Sequence, residues 1–110
     1  MATSTTRNNV FLGTEIKLNI EIEPIGHTTM DDYDFVVEVY CSTKKVQSFT
    51  KQDTIRINAW NYMVLVDTEV LGAGDMKCKI TAYIPDSDFP DLVRTEVACV
   101  DTDITINKNL

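Results

Sequence analysis

The acidic residues of this chain gather in three short segments, at 31–34, 86–91 and 101–103. Calcium is bound by several carboxylate and carbonyl oxygens that converge on one point. The D-x-D-x-x-D spacing of the middle segment, Asp86, Asp88 and Asp91, could begin such a site. This segment lacks the glycine and the terminal glutamate of an EF-hand loop. Solvated turn residues are therefore the favoured interpretation, and a calcium site is the alternative.

Nucleophilic and metal chemistry have few candidates. His27 is the only histidine of the chain, so a multi-histidine metal site cannot form. No G-x-S-x-G elbow is present to hold a serine nucleophile, and the segment 72–74 lacks the third glycine of a dinucleotide-binding fingerprint. A glycosidase-type carboxylate pair is not excluded, although a domain of this size offers little surface for a substrate cleft. We expect no enzymatic activity, no resident metal and no cofactor.

The three cysteines, Cys41, Cys78 and Cys99, form no C-x-x-C pair. An odd number cannot close completely in disulfides within one chain. All three lie in segments that alternate apolar and polar residues, where a free cysteine behaves as a small apolar side chain. The pattern predicts three reduced thiols in a core. A bridge between two sheets, such as Cys41 with Cys99, is the alternative.

Four residues are candidates for binding a partner. Trp60 and Tyr62 lie between two predicted strands, where aromatic residues are either binding anchors or the plug at the end of a core. Packing is the favoured interpretation for both. Phe11 follows a polar N-terminal segment that contains Arg7. It either closes one end of the domain or docks on a neighbouring subunit.

Composition indicates one globular domain. The 110 residues include 17 Asp and Glu against 10 Lys and Arg, which gives a formal net charge of -7, and 44% of the residues are hydrophobic. An acidic chain repels polyphosphate, so nucleic acid is excluded as an expected partner. No apolar run has the length of a membrane span, and no signal peptide is recognisable. We expect a flexible polar arm at 1–9 and one domain at 10–110.

Period-two alternation dominates the domain. Ile16, Leu18, Ile20 and Ile22 alternate with polar residues, and the same pattern recurs at 34–41, 76–84 and 92–100. We expect the last two segments to pair as a hairpin, with Val93, Val97 and Cys99 on one face, and a short strand to follow around Ile104 and Ile106. Gly72 to Gly74 predicts a further hairpin turn. The fold class is all-β, and an antiparallel immunoglobulin-like β-sandwich of seven or eight strands is favoured over a small closed barrel.

Nearly the whole chain, from Asn9 to Ile106, resembles small structural proteins of tailed bacteriophages, especially crAss-like and related phages of Bacteroidetes. The segments that carry the resemblance are NVFLGTEIKLNIEIEPIG, MDDYDFVVEVYC, NYMVLVDTEVLGAGDMKCKITAYIPDSDFPD and RTEVACVDTDITI. The resemblance implies an immunoglobulin-like module that decorates a capsid or joins fibres to the virion. It implies no enzymatic activity and transfers no active-site residue.

The expected function is therefore that of an auxiliary, or decoration, protein bound to the capsid. Its expected partners are the phage major capsid protein or other virion proteins, and a homo-oligomer is compatible with this role. It would fold in the host cytoplasm, where reduced thiols persist, and reside in the virion. A tail or head-fibre adaptor is one alternative. A small carbohydrate-binding module, with Trp60 and Tyr62 as its aromatic platform, is another.

Overall fold

Eight β-strands and one helical turn form the described part of the chain in the computed structural model, which covers residues 9–22, 28–41 and 46–108. The strands are β1 Asn9–Phe11, β2 Glu15–Ile20, β3 Asp34–Tyr40, β4 Val46–Thr50, β5 Ile55–Asn58, β6 Asn61–Asp67, β7 Gly74–Pro85 and β8 Val93–Asn107. The helical turn α1 spans Thr68–Leu71, and two 3₁₀ turns span Met30–Asp32 and Lys51–Asp53. The all-β prediction is confirmed. No helix in these ranges is long and apolar enough to cross a membrane.

The strands form two sheets. One contains five strands in the order β1-β8-β7-β3-β4, and the other contains three in the order β2-β6-β5. Apart from β1, these orders correspond to strands G-F-C-C′ and B-E-D of an immunoglobulin sandwich. The sandwich prediction is thus confirmed, with one correction. β1 pairs with β8 in parallel, so the larger sheet is mixed rather than purely antiparallel; nearly the whole chain separates these two strands, so no tight turn forces them to run in opposite directions.

Alternation places the core residues as the sequence predicts. On β3, Phe35, Val37 and Val39 are buried. They pack in one cluster with inward residues of the neighbouring strands, namely Ile20 of β2, Tyr62, Val64 and Val66 of β6, and Met76, Cys78, Ala82 and Ile84 of β7. The core therefore lies between the two sheets, where both faces exclude water.

The expected hairpin turn at 72–74 is wrong. The structure places α1 directly before it, and Gly72 ends that turn with a φ of 82° and an N–H that donates to the Thr68 carbonyl at 3.0 Å. A positive φ at a helix end favours glycine because no Cβ is present to clash. Thr68 is buried, and its hydroxyl accepts from the Gly13 N–H at 2.9 Å and donates to the Thr14 carbonyl at 2.7 Å. These bonds tie α1 to the turn between β1 and β2.

The hairpin of β7 and β8 is confirmed, with Pro85 opposite Val93 at its tip. β8 is longer than predicted and includes Ile104 and Ile106, for which a separate strand was expected. The strand continues past an irregularity in the pairing, between Met76 opposite Ile104 and Lys77 opposite Asp101. One further hydrogen bond, from the Thr102 hydroxyl to the Met76 carbonyl at 2.7 Å, holds the strand on β7 at this irregularity.

Candidate interaction surface

The strongest cluster of charged side chains closes one end of the sandwich. The Arg56 guanidinium donates to both oxygens of Asp31, each at 2.8 Å, and the Tyr62 hydroxyl also donates to this carboxylate. Lys51 donates to the carbonyls of Asp31 at 3.1 Å and Tyr33 at 2.8 Å. The ammonium of Lys51 also lies 5.7 Å from the centre of the Tyr62 ring.

The electrostatics of the cluster indicate a structural role. Hydrogen bonds from Arg56 and then Tyr62 hold the pKa of Asp31 well below its usual range. The pKa of Tyr62 is raised, first by burial and then by its bond to Asp31. A general acid needs a pKa near the working pH, and Asp31 is moved away from that range. The arrangement therefore fits a latch between β5, β6 and the 3₁₀ turn at Met30–Asp32.

Trp60 and Tyr62 occupy different environments. Tyr62 is buried and its ring makes an edge contact with Phe35, with ring centres 5.1 Å apart. Trp60 is 48% exposed at the turn between β5 and β6. The packing interpretation is confirmed for Tyr62, whose side chain belongs to the core cluster. The pair does not form a shared aromatic platform; Trp60 alone remains a candidate contact.

The other predicted candidates are scattered. Phe11 lies in β1 and is 56% exposed, so it caps no core. Arg7 and His27 lie outside the described residues, as do most of the predicted arm and the segment 42–45. Asp86 forms a turn, since one of its oxygens accepts from the Asp88 N–H at 3.0 Å and the other from Arg94 at 3.1 Å. No group of three potential metal ligands occurs in the described ranges, and the calcium alternative at Asp86, Asp88 and Asp91 gains no support from this geometry.

The cysteines are all free thiols, but they do not share an environment. Cys41 and Cys78 are buried, whereas Cys99 is exposed. The prediction of three core thiols is therefore correct for two residues and wrong for Cys99. Cys78 and Cys99 lie on neighbouring strands of one sheet and Cys41 follows another strand of that sheet, so the alternative bridge between sheets from Cys41 to Cys99 is also wrong.

The pairing register explains the exposure of Cys99. Cys99 lies opposite Lys79, and Val97 lies opposite Thr81, so both share the outward face of β7. A one-residue difference in register exchanges the two faces of a strand. The prediction of a core position is thus corrected for Cys99, which faces outward together with Val93 and Val97, the residues expected on the same face. The alternation was visible in the sequence, but the register depends on the geometry of the connecting loop.

An exposed apolar strip follows from this register. The outward face and tip of the β7–β8 hairpin expose five large apolar side chains, which we call the hairpin patch: Tyr83, Phe89, Leu92, Val93 and Val97. Isolated exposed apolar residues are ordinary, but a contiguous group indicates an interaction surface. Sequence reasoning missed this surface because it placed Cys99, which shares a face with Val93 and Val97, in the core.

Leu92 adds a second observation at the tip of the hairpin. It is 63% exposed and adopts a φ of 62°, in the left-handed region. That conformation is unfavourable for a leucine and is maintained by bonds from its N–H to the Phe89 carbonyl and from the Asp86 N–H to its carbonyl, both at 2.9 Å. Backbone strain of this kind concentrates at functional sites. The loop thus holds a large apolar side chain outward at a local energetic cost.

Comparison with known proteins supplies no family. No family model matches the chain, and no curated protein matches it. Among solved structures, 94% of the chain superposes on part of a proposed glycoside hydrolase from Bacteroides vulgatus ATCC 8482, with a TM-score of 0.49 and 10% sequence identity. The chain spans 17% of the length of that protein. At this TM-score and identity, the similarity carries no argument about function.

Proposed function

We propose that this chain is a non-enzymatic structural protein of a tailed-phage virion, an auxiliary protein that decorates the capsid. Its expected partner is the major capsid protein or another virion protein. The proposal is motivated by the resemblance of the sequence to such modules. The structural observation that supports a binding role is the hairpin patch, an apolar surface on a rigid two-strand scaffold.

The physical case for docking through the hairpin patch has two parts. Covering Tyr83, Val93 and Val97 would remove apolar surface from water, at about 25 cal/mol for each Å² buried. A β-hairpin also changes little in shape on binding, so less conformational entropy is lost. Many copies bound to one lattice gain avidity, and each individual contact can therefore be modest.

The test uses shells assembled from the cognate major capsid protein. The purified chain should co-sediment with these shells and saturate at a fixed ratio of copies to capsid protein. Val97→Glu should weaken binding by at least about tenfold, since it buries a charge in the contact. Val46→Glu is a matched control, because Val46 is a similarly exposed valine on β4, at the opposite edge of the sheet.

Two results would contradict this assignment. If no copies bind at saturating concentration, the proposed capsid role is contradicted. If Val97→Glu and Val46→Glu bind equally well, the hairpin patch is not the contact. Electron microscopy of intact virions tests the position directly. Density at the tail or at a fibre base would replace the decoration role with the adaptor role.

A further inference from the structure

A second surface lies on the inward face of β8, the face opposite to the hairpin patch, between the two sheets. In the described part of the chain, β2 is one of the two outer strands of its sheet, and β1 covers the edge of β8 only at Thr105–Asn107. Two adjoining depressions of about 340 and 230 Å³ lie between these strands and share Glu21, Ile80 and Val100 in their walls. We call this feature the β2–β8 trench.

The floor of the β2–β8 trench is apolar and incompletely covered. Leu18, Ile22 and Ile80 pack against the core but remain partly exposed, and Val100 is 47% exposed. Ala98 lies opposite Ile80 on β8 and is also exposed. These side chains lie on the inward faces of their strands. The sandwich therefore leaves part of its own interior surface open at this side.

Both walls of the trench are strand edges. In an immunoglobulin sandwich, one further strand pairs with the outer edge of the strand equivalent to β2. No such strand is present in the ranges that the structure describes. An open edge beside an apolar floor is the surface used by β-strand addition, in which main-chain hydrogen bonds give affinity and alternate side chains give specificity.

The charges at the rim indicate what the added strand carries. The charged residues that line the two depressions are Glu21, Glu96 and Asp101, all acidic. Glu96 forms an ion pair with Arg94 at 3.0 Å, whereas no ion pair among the described residues reaches Glu21 or Asp101. A basic side chain in the occupant would balance these two carboxylates.

The N-terminal sequence of the chain does not match this surface. Residues 1–8 read MATSTTRN and include apolar side chains only at Met1 and Ala2. A strand that fills an apolar trench needs an apolar side chain at every second position. The composition that fits is instead an alternation of β-branched apolar residues with uncharged and basic ones.

We propose that the β2–β8 trench accepts an extended segment of a second protein, which adds as a strand along β2. The segment spans about six residues, the length of β2 from Glu15 to Ile20, at about 3.3 Å per residue. Its apolar side chains contact Ile80 and Val100, and its basic residues face Glu21 and Asp101. This rests on the proposed virion role and deepens it by naming a second contact, which adjoins the hairpin patch at Val97.

The test needs no capsid, so it can succeed or fail separately from the decoration role. The probe is a fluorescein-labelled octapeptide, Lys-Val-Thr-Val-Lys-Val-Thr-Val, added to the full chain and followed by fluorescence anisotropy. We expect saturable binding with a dissociation constant below about 1 mM. A peptide of identical composition, Lys-Lys-Thr-Thr-Val-Val-Val-Val, should bind at least about tenfold more weakly because it cannot place alternate valines on the floor.

Two matched variants locate the binding. Ala98→Arg fills the trench from its exposed floor and should abolish binding of the alternating peptide. Thr95→Arg adds the same charge to the outward face of the same strand, opposite Tyr83, and should change the affinity by less than about twofold. Glu21→Lys should weaken binding of the alternating peptide. The same variant should strengthen binding of a peptide in which both lysines are replaced by glutamate, Glu-Val-Thr-Val-Glu-Val-Thr-Val.

Amide hydrogen exchange provides the second readout. Bound peptide should slow exchange at residues 15–20, as added main-chain hydrogen bonds protect that edge. The proposal is overturned by no saturation at millimolar peptide, by equal effects of Ala98→Arg and Thr95→Arg, or by full protection of residues 15–20 in the free monomer. Full protection that accompanies a dimer in sedimentation would also overturn it, by assigning the trench to a second copy.

Discussion

β7 and β8 are neighbours in one sheet and share one loop, yet they lie in opposite environments. Cys78 and Ala82 of β7 are buried, whereas the residues opposite them on β8, Val100 and Glu96, are exposed. β7 has β3 on its other side and lies in the core cluster with β6, whereas β8 lacks an outer neighbour before Thr105 in the described chain. Alternation thus assigns a residue to a face, but the cover on that face determines whether the residue is buried.

The largest expected effect compares one aliphatic residue on each strand. Ile84 of β7 is 2% exposed and Val97 of β8 is 56% exposed. Ile84→Ala should lower the free energy of unfolding by about 2–5 kcal/mol, because it leaves a cavity in the core. Val97→Ala should change it by less than about 0.5 kcal/mol. Urea unfolding of both variants measures the difference, and equal losses would contradict the difference in burial between these two side chains.

Thiol labelling compares the inward and outward faces of the β7–β8 hairpin without a substitution. Cys99 should react with a maleimide at least about a hundredfold faster than Cys78, because the buried Cys78 thiol becomes accessible only when the protein opens locally. Burial, more than the neighbouring Cys99, raises the pKa of the Cys78 thiol to about 11, so its reactive thiolate is also scarce at neutral pH. Peptide mapping by mass spectrometry identifies the labelled residue. In denaturant the two rates should converge, and simultaneous labelling of the native protein would contradict the burial difference.

The latch at the closed end of the sandwich should have a smaller effect. Tyr62→Phe removes the hydroxyl that donates to Asp31 and should lower the free energy of unfolding by about 1 kcal/mol. Tyr83→Phe is the matched control, since Tyr83 lies on the outward face of β7 and is 40% exposed. Its stability should match that of the wild type. Thermal and urea unfolding together test the pair, and an unchanged Tyr62→Phe variant would show that the latch contributes nothing.

The sequence was sufficient to predict features that depend on neighbouring residues. The alternation of Phe35, Val37 and Val39 predicted a buried face, and the structure confirms it. A period of two is a local property, and any cover on that face buries the same residues. For the same reason the hairpin of β7 and β8 could be predicted before its register was known.

Features that join distant residues could not be predicted in this way. Asp31 and Arg56 are 25 positions apart, and no spacing rule links a residue before β3 to one in β5. The register of β8 depends on the loop that contains Leu92, whose positive φ is unusual for its residue type. The hairpin patch and the β2–β8 trench both follow from this register. The surfaces proposed for binding were therefore the least accessible to sequence reasoning.

Acid should weaken the closed end through Asp31. Its pKa lies well below the ordinary value of 3.8 in the folded chain, so the unfolded chain binds more protons in acid. The stabilisation is complete above about pH 5 and decreases as the pH falls towards the folded pKa. Asp31→Asn should be less stable than the wild type at pH 7, and the difference should shrink at lower pH. The pKa of Asp53 is also lowered, mainly by the hydrogen bond from the Thr50 N–H. Protonation of Asp53 in acid therefore destabilises the wild type and Asp31→Asn alike, and it does not change the difference between them. A constant difference across the titration would contradict this role for Asp31.

The smallest effect on stability is expected at the tip of the hairpin. Leu92→Gly removes the unfavourable left-handed leucine but increases the freedom of the unfolded chain, so the two terms oppose each other. The free energy of unfolding should stay equal or rise by up to about 1 kcal/mol, while binding to capsid shells weakens. Leu65 of β6 is also exposed but has no positive φ, and Leu65→Gly should lower stability by about 1 kcal/mol. If both glycine variants lose the same stability, Leu92 is not strained; if Leu92→Gly binds shells normally, the outward leucine is not part of the contact.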